Sequence, residues 1–326
     1  MRCAKLGYSM PFNEVPIVDL RHWSSGDVPE RHRIAQIVNS VCRQVGFMYV
    51  RNHNISRSLI RRTFTQARTF FELAEEEKMK LHYMKTGGHR GYLPLKAESS
   101  DPTAQGDLKE AFDCGLVLRR IGETGIEWSR MSAPNLWPEN LPGFRKTVES
   151  YFDSLRQLAR TLFQIFALSF GMPEDYFEDK IDRPIATLRL LHYPPQVTQA
   201  TPDYLGIGEH CDYECFTILA QGRTAGLQVQ ASNGEWIDVP PIPDTFVINI
   251  GEMLSRWTND LFVATPHRVI NTTGSERYSI AFFFATNNET TIECLDSCCG
   301  EGNPPKYSPL TAGEYLAGRL KDIYGV

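Results

Sequence analysis

Three residues constrain the fold of this chain more tightly than its composition does. His210 and Asp212 flank Cys211, and His267 follows much later, within Ala264-Thr265-Pro266-His267-Arg268-Val269. Side chains on a strand alternate with period two, so an H-x-D triplet sends an imidazole and a carboxylate to the same side of the backbone. A third donor so far along the chain must arrive on another strand, so the site closes only when the fold closes. Two imidazoles and one carboxylate on one face of an octahedral ion leave the opposite face open.

The neighbouring sequence narrows the chemistry. Soon after His267, Arg277-Tyr278-Ser279 opens an apolar run, Ile280 to Phe284. Alternation puts Arg277 and Ser279 on one face, a planar bidentate donor beside a hydroxyl, suited to gripping a carboxylate. An open metal face of this kind is the arrangement of non-haem Fe(II) oxygenases.

With these motifs the chain resembles the isopenicillin N synthase-like branch of the Fe(II)/2-oxoglutarate-dependent dioxygenases. Further matching pieces are Leu188-Arg189-Leu190-Leu191-His192-Tyr193-Pro194, Pro16 to Leu20, Gly46 to His53, Arg90-Gly91-Tyr92 and Asp107 to Glu110. The resemblance spans nearly the whole chain. It implies a mixed α and β fold, a double-stranded β-helix (a distorted jelly roll) flanked by N-terminal helices and a C-terminal helix. It implies Fe(II) on His210, Asp212 and His267, and 2-oxoglutarate with its far carboxylate on Arg277 and Ser279 and with Tyr193 as a third donor. It also implies O2 as oxidant, succinate and CO2 as coproducts, and hydroxylation of a C–H bond of a small molecule as the usual outcome. Many plant members carry Asn where this chain has Leu191, so one polar contact to the cosubstrate is expected to be missing. Substrate loops of the family come partly from the region Thr86 to Pro142, which makes Arg90, Tyr92, Lys109 and Asp113 candidates for touching substrate. Phe283 joins them because alternation places it on the face of Arg277 and Ser279.

Three other readings compete: a relative that uses O2 without 2-oxoglutarate, a ligand-binding sensor on an inactive oxygenase fold, and a zinc hydrolase. An intact open metal face argues against the sensor. A carboxylate grip suits a chelating keto acid better than a hydrolase.

Composition agrees with a small-molecule partner. The formal net charge is -5, which favours neither nucleic acid nor a membrane surface, and 42% hydrophobic residues in 326 suffice for a sizeable core. Met1 to Val15 has no apolar signal core, no long apolar run follows, and the eight cysteines lack framework spacing, so the expectation is a reduced, cytoplasmic protein. Cys211 is expected to be a packed thiol, and Cys294, Cys298 and Cys299 an oxidisable surface loop.

Along the chain, the region 1–142 is expected to hold helices, short strands and substrate loops. The region 143–326 is expected to hold a supporting helix and the metal-binding core, the two forming one compact unit. Apolar spacing predicts helices over Pro29 to Val45, from an N-cap at Ser56 through Phe71, over Gly143 to Gly171, and over Thr311 to Tyr324. Glu75 to Lys80 reads as a solvated helical face. Strands are predicted at Pro16–Leu20, Phe47–Val50, Ala186–Tyr193, Cys215–Gln221, Leu227–Gln230, Trp236–Val239, Thr245–Ile250, Tyr278–Thr286 and Thr291–Leu295, with an Asn233-Gly234 hairpin turn. His192 is expected to be structural, and Arg256 and Trp257 to stand near the pocket rim.

Overall fold

A computed structural model describes residues 12–86, 90–98, 106–116, 133–196, 205–271 and 273–324. The N-terminal part supplies β1 (Ile17–Asp19), α1 (Val28–Gln44), β2 (Phe47–Arg51), α2 (Arg57–Phe71), α3 (Glu75–Met79), β3 (Gly91–Leu93) and β4 (Glu110–Gly115). The long α4 (Phe144–Ser169) follows, then β5 (Pro184–Tyr193), β6 (Ile207–His210), β7 (Phe216–Gln221), β8 (Leu227–Gln230), β9 (Trp236–Asp238) and β10 (Thr245–Ile250). The chain ends with α5 (Glu252–Trp257), β11 (His267–Val269), β12 (Arg277–Asn287), the short pair β13 (Thr291–Ile292) and β14 (Leu310–Thr311), and α6 (Ala312–Tyr324).

Among the described residues, eight strands form a major sheet in the order β1-β2-β10-β7-β12-β5-β4-β3, and four form a minor sheet, β6-β11-β8-β9. Strands from both sides of residue 142 therefore share one sheet. Alternation along β12 divides its duties. Ile280, Phe282 and Phe284 turn towards α4, where Phe152 meets Phe282 at 5.1 Å and Phe163 meets Phe216 at 5.3 Å. Arg277, Ser279, Ala281 and Phe283 turn the other way and line a cavity whose opposite wall includes Ile207, Leu227 and Val269 of the minor sheet. The expected jelly roll is thus a sandwich with helices on one outer face and a cavity inside.

The apolar stripe of α4 buries Phe144, Val148, Tyr151, Phe152, Leu155, Leu158, Ala159, Leu162, Phe163 and Phe166, as its spacing of three and four predicts. In α1, Ile34, Ala35, Val38, Val41 and Cys42 are buried, while Ile37 lies on the solvent side. Ser56 precedes α2 but bonds the Ser58 hydroxyl at 2.7 Å and makes no side-chain cap. The hairpin at Asn233-Gly234 forms with only Gly234 in the left-handed region, at φ 88°. Its turn closes by Gly234 N–H donating to Ala231 O.

Three expectations are corrected. The Glu75 to Lys80 run is not wholly solvated: Lys78 is buried and pairs with Glu110 at 2.7 Å, while Lys80 pairs with Glu77. Trp257 packs against Phe177 in the core, and Arg256 donates to Ser308 O, so neither lines the cavity. Of the cysteines, Cys42, Cys114, Cys215, Cys294, Cys298 and Cys299 are free, whereas Cys211 is buried but disulfide-bonded and is not the packed thiol expected. No helix among the described residues is long and apolar enough to cross a membrane.

Candidate active site

His210 closes β6 and pairs directly with His267 on β11. Their rings lie 4.3 Å apart, and Phe47 packs edge-on to His267 at 5.3 Å. Asp212 is not on the strand. The ladder stops at His210, and Asp212 sits where the chain leaves the minor sheet for β7, its carbonyl accepting the N–H of Glu252 at 2.8 Å. Its carboxylate still converges, with Oδ1 3.6 Å from Nε2 of both histidines. Ligand atoms of the three all lie within 4.8 Å of one another, and among the described residues no other His, Cys, Asp or Glu cluster does so.

Hydrogen bonds to the remote atoms decide which atoms face inward. Nδ1 of His210 donates to Gly208 O at 2.9 Å and Nδ1 of His267 to Thr265 O at 3.2 Å. A carbonyl only accepts, so both rings keep their protons on Nδ1 and present Nε2 lone pairs to the centre. The far oxygen of Asp212, Oδ2, accepts from Asn249 Nδ2 at 2.7 Å and from the Thr217 hydroxyl. Burial works against ionising Asp212, but the neighbouring His267 and His210 and the Thr217 hydroxyl outweigh it and hold its carboxyl well below the usual range. Burial, with the neighbouring His210 acting in the same direction, pushes His267 down to about 4, so this imidazole is a neutral donor near neutral pH. Donor set, tautomers and charge all fit a divalent ion with imidazole and carboxylate preferences.

Arg277 and Ser279 extend the same cavity away from the His-Asp-His cluster. Arg277 is only 1% exposed, yet its polar contact is Nη1 to the Ser279 hydroxyl at 3.3 Å, and its Nε has no hydrogen-bond partner among the described residues. The guanidinium stands 4.6 Å from the Tyr193 ring. Gly226, with φ 147°, makes room for it: a Cβ there would meet Ile270 O at 2.6 Å and Arg277 Nε at 3.4 Å. A buried cation facing a cavity without its own carboxylate is built for an anionic ligand, because an uncompensated buried charge is costly. The far carboxylate of 2-oxoglutarate fits that requirement. Leu191 lines this part of the cavity opposite Ser279 and offers no polar group.

The remaining sequence candidates separate. Phe283 lines the cavity. Asp113, on the same sheet face, takes both Nε and Nη2 of Arg189 at 2.8 and 2.7 Å. Lys109 is buried between Glu98 and Asp107, and Arg90 donates to the Thr187 hydroxyl at 3.1 Å. Tyr92 lies on the opposite face, its hydroxyl donating to Glu110 at 2.6 Å, and is not brought to the cavity. Sequence reasoning missed Thr217 and Asn249 as supports of Asp212, although alternation along β7 and β10 places both on the cavity face. It also missed Arg189, whose guanidinium approaches the Phe283 ring at 5.9 Å and also binds Glu98.

Comparison with known proteins agrees with this geometry. Residues 15–140 match the family model described as non-haem dioxygenase in morphine synthesis N-terminal, and residues 184–286 match that of the 2OG-Fe(II) oxygenase superfamily. A 2-oxoglutarate-Fe(II) type oxidoreductase of Emericella nidulans is 35% identical, over 95% of this chain and 90% of the relative. A homoarginine-6-hydroxylase of Glycine max is 33% identical over 95% and 97%. Among solved structures, a full-length Neurospora crassa protein in complex with alpha-KG is 31% identical with a TM-score of 0.84, covering 94% of this chain and 96% of that one. The chain therefore belongs to the 2OG-Fe(II) oxygenase superfamily and is a 2-oxoglutarate-dependent Fe(II) dioxygenase.

Proposed function

We propose that His210, Asp212 and His267 hold the Fe(II), that Arg277, Ser279 and Tyr193 hold the far carboxylate of 2-oxoglutarate, and that a small molecule is oxygenated beside Phe283. The bound metal with 2-oxoglutarate and O2 supplies the oxidising power, with succinate and CO2 as coproducts. The protein's own contribution is placement. Thr217 and Asn249 hold one oxygen of Asp212 so that the other faces the metal. The aliphatic lining of Leu191, Leu219 and Ala281 keeps water from the reacting centre, and Phe283 sets how near the substrate carbon stands.

Substrate is assigned to the side of the cavity lined by Phe283, whose ring the Arg189 guanidinium approaches while paired with Asp113, and Lys109 and Arg90 are further candidates for that side. The Asp113–Arg189 pair beside Phe283 favours a small molecule with hydrogen-bonding groups over a purely hydrocarbon one. Solved complexes of the Neurospora relative contain thymine and 5-formyluracil, small polar molecules of that kind.

The observation that carries the reading is the buried guanidinium of Arg277 facing the same cavity as the His-Asp-His cluster. Anaerobic titration of 2-oxoglutarate onto the Fe(II)-loaded protein, followed by the visible band of a chelated keto acid, tests it. The band should saturate in the wild type, weaken in Arg277→Ala and vanish in His210→Ala. A band indifferent to Arg277→Ala would refute the clamp, and iron retained by His210→Ala would refute the metal assignment.

A further inference from the structure

Behind the clamp, on the face of the sheet turned away from the cavity, lies a row of polar side chains that the chemistry above does not use. Glu110 of β4 pairs with His192 of β5, and His192 pairs with Tyr278 of β12, so the three stand side by side across three strands. The same short segments carry the clamp on their other face: His192 lies between Leu191 and Tyr193, and Tyr278 between Arg277 and Ser279. His192 Nδ1 donates to Glu110 Oε1 at 2.7 Å, and the His192 ring stacks on Tyr278 at 4.6 Å with 18° between planes. The second oxygen of Glu110 accepts from Lys78 Nζ at 2.7 Å and from the Tyr92 hydroxyl at 2.6 Å, which ties the row to α3 and β3. Arg68 of α2 lies over the outer side of Tyr278 at 5.3 Å.

The position of this row along the ladder matters. Arg277 opposite Tyr193 is the last register pair of β5 and β12, and Pro194 follows without an N–H to continue it. Ladder ends are where strands fray, and fraying here would let Arg277 and Tyr193 part. A histidine hydrogen-bonded to Glu110 and stacked on its cross-strand neighbour opposes that opening at the last but one pair.

We propose that Glu110, His192 and Tyr278 are positioning residues for the cosubstrate: they hold the end of the β5–β12 ladder closed so that Arg277, Ser279 and Tyr193 meet the 2-oxoglutarate carboxylate already aligned. The inference rests on the clamp assigned above. It gives a function to the buried lysine, glutamate and histidine, which a merely space-filling role would not require.

The test measures 2-oxoglutarate binding to the full-length, Fe(II)-loaded protein by anaerobic calorimetry, together with Tm and the split between KM and kcat. His192→Phe keeps the stack and removes the bond to Glu110, and Glu110→Gln removes the charge that holds His192. Each is expected to weaken 2-oxoglutarate binding and raise its KM by about tenfold, with kcat at saturating cosubstrate within about twofold of wild type. Asn39→Ala, which loses the bond from α1 to Ser169 O at the end of α4, serves as the destabilised control and should lower Tm with the affinity unchanged. If His192→Phe and Glu110→Gln lower Tm but bind 2-oxoglutarate like wild type, or lose kcat with KM unchanged, the positioning role is overturned. If Glu110→Gln does not fold, His192→Phe alone decides. An Arg277→Ala protein run in parallel separates the two claims: normal binding there refutes the clamp itself, whereas weak binding there with normal binding in His192→Phe refutes only the positioning role.

Discussion

Arg277 makes opposite predictions for the empty and the liganded protein. Arg277 is 1% exposed and, among the described residues, its Nε has no hydrogen-bond partner and no carboxylate pairs with it, so in the chain alone it contributes desolvation cost without compensation. Replacing it with Leu removes that charge while filling much of its volume, and replacement of buried charges by apolar residues is often neutral or stabilising by about 1–4 kcal/mol. Without 2-oxoglutarate, Arg277→Leu should therefore unfold at the wild-type temperature or above it. With cosubstrate the order reverses. At a 2-oxoglutarate concentration one hundred times its Kd, linkage stabilises the wild type by about 2.7 kcal/mol. Near 60 °C the unfolding entropy is about 2.1 cal/mol/K per residue, so this corresponds to a rise in Tm of about 4 °C for a chain of this length. Losing one partner of a buried, hydrogen-bonded charge pair costs about 2–5 kcal/mol, which removes nearly all of that rise. Differential scanning fluorimetry of both proteins, loaded with Fe(II) under nitrogen and with or without 2-oxoglutarate, measures all four temperatures. A variant that unfolds well below wild type without ligand yet keeps the ligand-induced rise would refute the reasoning, because Arg277 would then be a structural residue and not a waiting counter-ion.

Other consequences follow from the same geometry. Asn249→Ala frees Asp212 Oδ2 from its 2.7 Å donor and should weaken metal binding by about 10–100-fold, read by competition with a chromogenic chelator. Gly46 has φ 69°, and a Cβ on it would meet Val263 O at 2.1 Å, so Gly46→Ala should cost on the order of 3 kcal/mol in urea unfolding. Burial opposes ionising Glu110, but hydrogen bonds from His192, Lys78 and Tyr92 outweigh it and hold its folded pKa below the ordinary glutamate value. Its stabilisation is accordingly complete above about pH 4.5 and lost as the pH falls through the lowered folded value. The urea midpoint should drop between pH 5 and pH 3 in the wild type and less steeply in Glu110→Gln.

Legibility in the sequence followed the range of the interactions involved. Within the candidate site, His210-x-Asp212 and Arg277-x-Ser279 could be read because each obeys a short spacing rule, whereas His267 joins them only through β6–β11 pairing; the strand alternation that pairs Arg277 with Ser279 also puts Phe283 in the cavity. Strands Leu227–Gln230 and Thr245–Ile250 were read to the residue, since apolar alternation ends sharply at Gly226 and at Gly251. The two-residue β13 is much shorter than the Thr291 to Leu295 strand expected, and β3 and β4 were hidden in a stretch broken by glycine and proline.

The partners of the charged residues followed no such rule. Tyr92 and Lys109 both carry polar groups in the region expected to meet substrate, but β3 and β4 are strands, and strand parity sends Tyr92 to the helix side while Asp113 goes to the cavity side. Lys78 sits in a run of glutamates that reads as solvent-facing because nothing nearby in sequence explains a buried lysine. Its explanation is Glu110, 32 residues away and on another element. Glu110 in turn is buried because His192 and Tyr92 complete its hydrogen bonds, a condition that exists only after β3, β4 and β5 have assembled. A buried polar network therefore leaves weaker traces in the sequence than a metal site does. The donors of a metal site must satisfy one small ion in a fixed geometry, whereas each member of a polar network need only satisfy its neighbours, and those neighbours are set by topology.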